Sequence, residues 1–357
     1  MKVQQIRVPK TAPGPKSKPS NAVITPQPEF YAHPHLVPDQ DPCKGRLLRA
    51  SAAVPEGTVL LVDTPYAIVP SVNSEKAALI CSNSSCSRRV AQNGQGVRCP
   101  RNCLKDVIWC NVACRTADHV RHDFECLWLQ QKGELLRDRE TQYDFVTLWH
   151  VVRLLATRNV ELKKSASMTP FLHPQDRKFE RGWKSVEMCC SYLDSWPESQ
   201  LKHWTRLVDE YLSDATVLPC MLNPDEMLSL ICKEETNTFG LYPKLTGPLY
   251  MADRPVPRGE SYALSLYPRA AQFNHSCLPN VTHKPDNQGR MVYTAARDIV
   301  KGEECMITYF DLTEHEDLTS RQKHVQEQFQ FKCTCERCLS EEAEENMGNM
   351  DLLPFGF

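Results

Sequence analysis

Between residues 81 and 126 the chain sets seven cysteines and a histidine in four close pairs. Four residues separate Cys81 from Cys86. Three separate Cys99 from Cys103, Cys110 from Cys114, and His122 from Cys126. Gaps this short let one turn aim both side chains at a single ion, at about 2.3 Å for a zinc–thiolate bond. Seven thiolates and one imidazole fill two tetrahedral zinc sites. The rest of the stretch is polar, so metal rather than an apolar core organises it. His119 is a rival to His122, but six residues would lie between it and Cys126, so His122 is the expected ligand. Coincidental core cysteines would not fall into such pairs.

Metal also suits the compartment. No apolar run reaches 18 residues, so no transmembrane helix is expected. The N-terminus "MKVQQIRVPKTAPGPKSKPSN" lacks the continuous apolar stretch of a secretory signal. A cytoplasmic or nuclear protein is expected, whose 17 cysteines stay reduced. A net charge of -2 with 24% charged residues gives no bulk field toward nucleic acid or membrane.

The 357 residues suffice for two or three domains. Residues 1–36 are rich in Pro, Lys and Ser, and Lys2, Arg7, Lys10, Lys16 and Lys18 precede the first acid, Glu29. Such a stretch buries too little apolar surface to offset its ordering entropy, so a disordered arm is expected. An import or nucleic-acid arm is the alternative. Residues 37–80 read as strands, because "LLRASAAVPEGTVLLVDTPYAIV" alternates apolar runs with Pro-Glu-Gly and Asp-Thr-Pro turns. Residues 81–126 are the cysteine module. Residues 127–235 read as helices, with Phe145, Leu148, Val152 and Leu155 at helical spacing and "WTRLVDEYL" repeating the idea. Residues 236–325 return to short apolar runs broken by Pro and Gly. Residues 326–340 hold a second cysteine group, and 341–357 form an acidic tail expected to fray.

That second group, "CTCERC", supplies Cys333, Cys335 and Cys338, and zinc takes four ligands. Spacing does not choose the fourth among Cys43, Cys189, Cys190, Cys220, Cys232, Cys277 and Cys305. Cys277 follows His275 by two residues in "NHSCLPN". One reading makes it a nucleophile with His275 as base, which needs an exposed, electropositive setting. Another makes it a metal ligand. For the other six the simple reading is a small buried hydrophobe.

The segment "CSNSSC…CPRNCLKDVIWCNVACRTADHVRHDFEC" resembles a MYND zinc finger, although its first two gaps are longer than that family's usual. The resemblance implies interleaved sites: Cys81, Cys86, Cys110 and Cys114 on one zinc, and Cys99, Cys103, His122 and Cys126 on another. Such fingers bind peptides, and closed four-ligand sites leave no position for chemistry. Further on, "NHSCLPN", "KGEECMITY" and "CTCERC" are similar to the SET domain of protein lysine methyltransferases with its post-SET cysteines. Together with "KGR" at 44–46 and "NTF" at 237–239, these motifs follow the order of the SET and MYND domain-containing protein lysine methyltransferase family. The resemblance covers roughly residues 40–340, in a short form without that family's C-terminal helical domain. It implies an α+β fold: a SET-type, β-rich arrangement of small sheets, interrupted by the finger and a helical segment, and closed by a zinc-bound post-SET segment.

The function implied is S-adenosylmethionine-dependent methylation of a lysine on a histone tail or another protein, with three zinc ions. By resemblance, Cys277 joins Cys333, Cys335 and Cys338 on the third. Tyr309 would be the catalytic tyrosine, its hydroxyl beside the transferred methyl. Lys44, Gly45 and Arg46 match the cofactor-binding turn, poorer in glycine than in the family and flanked by Cys43 and Leu47. Asn237 would hold the cofactor's amino-acid end, Asn274 and His275 would hydrogen-bond it, and Phe331 would lie on its adenine. Phe329 would line the substrate lysine channel, where the family often has tyrosine. Cys43 would sit beside the cofactor. A catalytically weak or inactive SET–MYND adaptor is the alternative function. A zinc hydrolase ranks last, because twelve ligands fill three closed sites. The finger's expected partner is a Pro-rich peptide. A monomer is expected, with no membrane role and only the basic arm to suggest nucleic acid. Without the C-terminal helical domain the substrate cleft would be more open.

Overall fold

A computed structural model describes residues 30–71, 79–90, 96–165, 178–219, 222–247 and 258–350. The architecture is α+β, and its strands form small separate sheets. Val59–Asp63 and Ala67–Pro70 are apolar at nearly every position, the pattern of strands covered on both faces. Val59–Asp63 lies inside a four-stranded antiparallel sheet, between Tyr31–Ala32 and the hairpin Met291–Ala295/Val281–Pro285. Ala67–Pro70 pairs with Ala263–Leu266, which pairs in turn with Thr238–Leu241. Ser265 Oγ donates to Ala67 O at 2.9 Å across 198 positions of sequence. The cysteine-rich segment at 81–126 (below, the finger, by its resemblance) and the helical segment therefore both lie between two neighbouring strands of one sheet. Asn274–His275 runs parallel to Met306–Ile307, and the hairpin 281–295 makes the crossover.

Four expectations shift. Residues 30–36 fall within the expected arm, yet Tyr31 and Ala32 pair with Val62 and Leu61, and Leu36 starts the hairpin Leu36–Asp41/Gly45–Ala50. Residues 1–29 and Cys220 lie outside the described residues. Helix begins before 127: Val112–Ala117 and His119–Trp128 belong to the finger. The 325/326 boundary cuts the helix Leu318–Phe329, which Asp317 caps by accepting from Ser320 N at 2.8 Å. The acidic stretch from 341 continues the helix Glu336–Met350.

In the insert, Phe145, Leu148, Val152 and Leu155 all point into the core from the helix Gln142–Ser165. The helix Pro224–Asn237 starts with proline at its first position and a reciprocal cap: Glu226 N donates to Asn223 Oδ1, and Asn223 N to Glu226 Oε2, both at 2.9 Å. It ends by handing Thr236 and Asn237 to the strand Thr238–Leu241. No helix among the described residues is long and apolar enough to cross a membrane.

One buried ion pair joins finger, insert and sheet. Glu125, on the finger helix, is fully buried and accepts from Arg153 Nη2 at 2.8 Å and Nε at 3.0 Å. Arg153 Nη1 donates to Ile68 O at 2.8 Å, in the strand that enters the finger. Burial alone would raise the Glu125 pKa, but the Arg121 and Arg153 guanidiniums hold it well below the usual carboxylate range. Removing one partner of a buried pair strands the other charge, at a cost of about 3–5 kcal/mol. Glu125→Ala should therefore lower the unfolding free energy by about that much in denaturant titration. A loss under about 1 kcal/mol would show that the pair does not join the layers.

Candidate functional site

The twelve expected ligands gather into three groups of four. These are Cys81, Cys86, Cys110 and Cys114; Cys99, Cys103, His122 and Cys126; and Cys277, Cys333, Cys335 and Cys338. Within each group all donor atoms lie within 4.8 Å of one another. A tetrahedral zinc with 2.3 Å thiolate bonds sets its sulfurs about 3.8 Å apart. The closest pairs fit: Cys86–Cys110 at 3.6 Å, Cys99–Cys126 at 3.7 Å and Cys277–Cys338 at 3.6 Å. His122 Nδ1 is 3.2 Å from Glu125 Oε1, which turns Nε2 toward Cys99 at 3.2 Å and Cys103 at 3.7 Å. His119 instead sets its Nδ1 against Thr116 O at 2.7 Å. Donors of this type and spacing can hold zinc at all three places.

Cys277 is thus no orphan beside a histidine. It is 2% exposed and packed among three thiols, the opposite of the open setting a nucleophile needs. His275 does not act on it as a base. Tyr309 N donates to His275 Nδ1 at 3.2 Å, so the ring proton sits on Nε2, 3.3 Å from the Cys277 sulfur. The histidine therefore donates toward the thiol cluster and holds the backbone of Tyr309.

Tyr309 stands between two cavities. The larger, about 710 Å³, takes in Lys44, Arg46, Asn237, Asn274, His275, Tyr309, Phe329 and Phe331. Gly45 does not line it but shapes the turn that carries its neighbours, at φ +73°. Cys43 lines the cavity, as expected. Phe329 and Phe331 come from opposite sides of Gln330, whose left-handed φ of 63° ends the helix Leu318–Phe329.

The polar groups here are arranged by partners the motifs did not reveal. Lys44 Nζ reaches Glu304 Oε2 at 2.7 Å, and Asn274 Nδ2 donates to Glu304 Oε1 at 2.8 Å. Arg46 has no carboxylate partner among the described residues, and its Nη2 lies 3.7 Å from Cys190 Sγ. Asn237 Nδ2 donates to the carbonyls of Cys190 and Lys233, both at 2.8 Å. Its Oδ1 keeps no partner among the described residues.

The smaller cavity, about 70 Å³, shares Thr236, Asn237, Ala271, Tyr309 and Phe329 with the larger. Its other walls include Phe239, Phe273, His283, Tyr242 and Arg258. Tyr309 OH donates to Phe273 O at 2.8 Å. Burial, aided by Tyr192, Cys190 and Glu304, pushes its phenol well above the ordinary value, so it stays protonated. Burial and nearby Arg258 lower His283 to about 3, which keeps it neutral. Its Nδ1 has no partner among the described residues.

Glu304 lies inside "KGEEC", but nothing local marks it as the anchor of Lys44 and Asn274. Cys190 and Tyr192 come from a loop of the helical insert and carry no motif. Tyr192 adopts a left-handed φ of 47°, which a sequence pattern does not disclose.

The SET-domain family model matches residues 45–310. A SET and MYND domain-containing protein of Dictyostelium discoideum is 25% identical over 332 residues, 85% of this chain and 59% of that protein. The human N-lysine methyltransferase SMYD2 is 24% identical over 309 residues, 85% of this chain and 60% of its own. The histone-lysine N-methyltransferase ASHR2 of Arabidopsis thaliana is 31% identical over 127 residues, 34% of this chain and 30% of its own. The chain thus spans at most 60% of the length of each of these relatives. With the family model covering most of its length, it belongs to the SET-domain family, and SET and MYND domain-containing proteins are among its relatives.

Proposed function

We propose that this protein transfers a methyl group from S-adenosylmethionine to the side-chain amine of a lysine on a protein substrate. One observation carries the reading. A cavity of cofactor size and a narrow channel meet at Tyr309 and Phe329, so two reactants can approach one point from opposite sides.

The cavity fits the cofactor's charges. Arg46, free of any carboxylate among the described residues, suits the carboxylate of its amino-acid end, and the unpartnered Oδ1 of Asn237 suits the ammonium. Phe331 offers a face for adenine. When bound, S-adenosylmethionine supplies a methyl group activated by a positively charged sulfur. The chain's own residues prepare the amine. A free lysine has a pKa of about 10.4 and must give its proton to solvent before it reacts. Phe239, Phe273 and Phe329 desolvate the channel, and Arg258 adds a positive charge, so both lower that value. Tyr309, whose O–H donates a hydrogen bond to Phe273 O, turns oxygen lone pairs toward the junction.

The finger reads as a MYND module that binds a Pro-rich peptide, with its two closed sites on zinc, and the third cluster as a post-SET zinc site. Cytoplasm or nucleus is the expected location. A protein that only scaffolds partners would have no need of the double cavity.

Calorimetry should detect S-adenosylmethionine binding, and radiolabel transfer to lysine peptides should detect turnover. Tyr309→Phe should lower kcat roughly 100-fold while leaving cofactor binding in place. Full activity in that variant, or no cofactor binding at millimolar concentration, would overturn the reading. Elemental analysis should find three zinc ions per chain, matching the three donor groups. Cys277→Ser should drop one and reduce turnover without touching a reacting atom, because His275, Phe329 and Phe331 lose their anchor. An unchanged zinc count would remove Cys277 from the ligand set.

A further inference from the structure

Tyr242 lines the small cavity beside Tyr309 and also lines a third cavity, about 400 Å³, so one side chain forms a wall of both. Gly240 permits that placement: a Cβ there would meet the Tyr242 ring at 2.7 Å. The Arg258 guanidinium lies 4.2 Å from the centre of the same ring. The third cavity is a groove between finger and sheet. Tyr242, Pro243 and Tyr262 line it, with Arg88 and Arg89 from the finger and Lys284 from the strand Val281–Pro285.

The three cations are exposed, and no carboxylate among the described residues pairs with any of them. Arg89 lies 4.1 Å over the Tyr262 ring, which directs it along the groove. Asp286 lines the groove too, but it is taken by Arg290 at 2.6 Å and by the N–H groups of Gln288 and Arg290. The finger is held tightly here. A Cβ at Gly289, where φ is +69°, would lie 2.9 Å from Ser87 Cβ, so the turn 286–290 and the finger loop meet at the closest approach that glycine allows.

We propose that this groove receives the part of the substrate next to the methylated lysine and selects acidic side chains there. The proposal rests on the lysine-methylation reading and names the substrate class for that site. A lysine that reaches Tyr309 past Tyr242 leaves its neighbours in the groove. There they meet three unneutralised cations over an aromatic and proline floor. Exposed charge pairs are individually weak, so preference arises from several acting together. A nucleic acid would want a longer track of cations than three, because its affinity comes from neutralising many phosphates. A Lys- and Arg-rich tail would meet like charge.

The test uses the full chain and matched peptides with one lysine, flanked by Asp and Glu, by Gly and Ser, or by Lys and Arg. The acidic set should give the lowest KM, and the basic set the highest. Arg88→Glu with Lys284→Glu should cut the acidic-to-basic ratio of kcat/KM by on the order of tenfold. Both side chains are exposed and unpaired, so the reversal should cost the fold little. An unchanged ratio, or a wild-type preference for basic peptides, overturns the proposal. A labelled acidic peptide is also titrated without cofactor at low and high salt. The groove requires salt-sensitive binding that the double variant loses. If that binding occurs but no peptide is methylated, the enzyme reading fails and the groove stands. If methylation proceeds without charge preference, the groove fails and the enzyme stands. A short oligonucleotide that binds more tightly than the acidic peptide, through the same residues, overturns the proposal in favour of nucleic acid.

Discussion

A single hydrogen-bond path holds the candidate site together. It runs from the Cys277 sulfur to His275 Nε2, through the ring to Nδ1, and on to the backbone N–H of Tyr309. The ring has one proton to place when neutral, and both contacts are satisfied only if Nε2 carries it. The Tyr309 N–H therefore fixes the tautomer of His275, and the ring ties Tyr309 to the thiol cluster. The same cluster gathers Cys333, Cys335 and Cys338, which follow Phe329 and Phe331 directly in sequence. Both aromatic walls and the tyrosine between the cavities thus hang from four sulfurs. None of those sulfurs needs to touch a reactant.

A second constraint is topological. The sheet that supports the junction is closed by strands on either side of a long insertion, and Ser265 and Ala67 meet across it. Closing so long a loop costs entropy that local contacts cannot repay. The insert repays it through its own core and through the Arg153–Glu125 pair, which anchors the finger helix beside the strand Ala67–Pro70. The insert then returns something to the site. The helix Pro224–Asn237 ends at the cavity, and the loop after the helix Gly182–Glu187 contributes Cys190 and Tyr192 to the wall.

Much of this was legible in the sequence, and for identifiable reasons. Donor pairs with short gaps announce themselves, as Cys110 and Cys114 do, because one turn can aim both at a single ion. A core helix repeats every three or four residues, so Phe145, Leu148, Val152 and Leu155 do as well. Cys277 was different: its partners lie 56 or more residues away, and only the resemblance joined them. Glu304, Cys190 and Tyr192 were not legible, because what matters about them is a tertiary neighbour. The short pairing of Tyr31–Ala32 was hidden for the same reason. Two residues carry no periodicity, and their place is set by the apolar strand beside them.

The turn at residues 41–45 shows how a departure from a family pattern can be absorbed. A cofactor turn rich in glycine obtains its shape from backbone freedom. Here one position takes a positive φ, and that position is Gly45. The rest of the shape comes from Asp41, whose Oδ1 accepts from Cys43 N at 2.8 Å and from Lys44 N at 2.9 Å. A carboxylate that satisfies two backbone donors builds a stiffer turn than extra glycines would, because fewer backbone states compete with it. Lys44 leaves that turn toward Glu304, and Arg46 leaves it toward Cys190. At the cavity Lys44 is thus neutralised by Glu304, while Arg46 has no carboxylate partner among the described residues and is the cation left to pair with an anionic group.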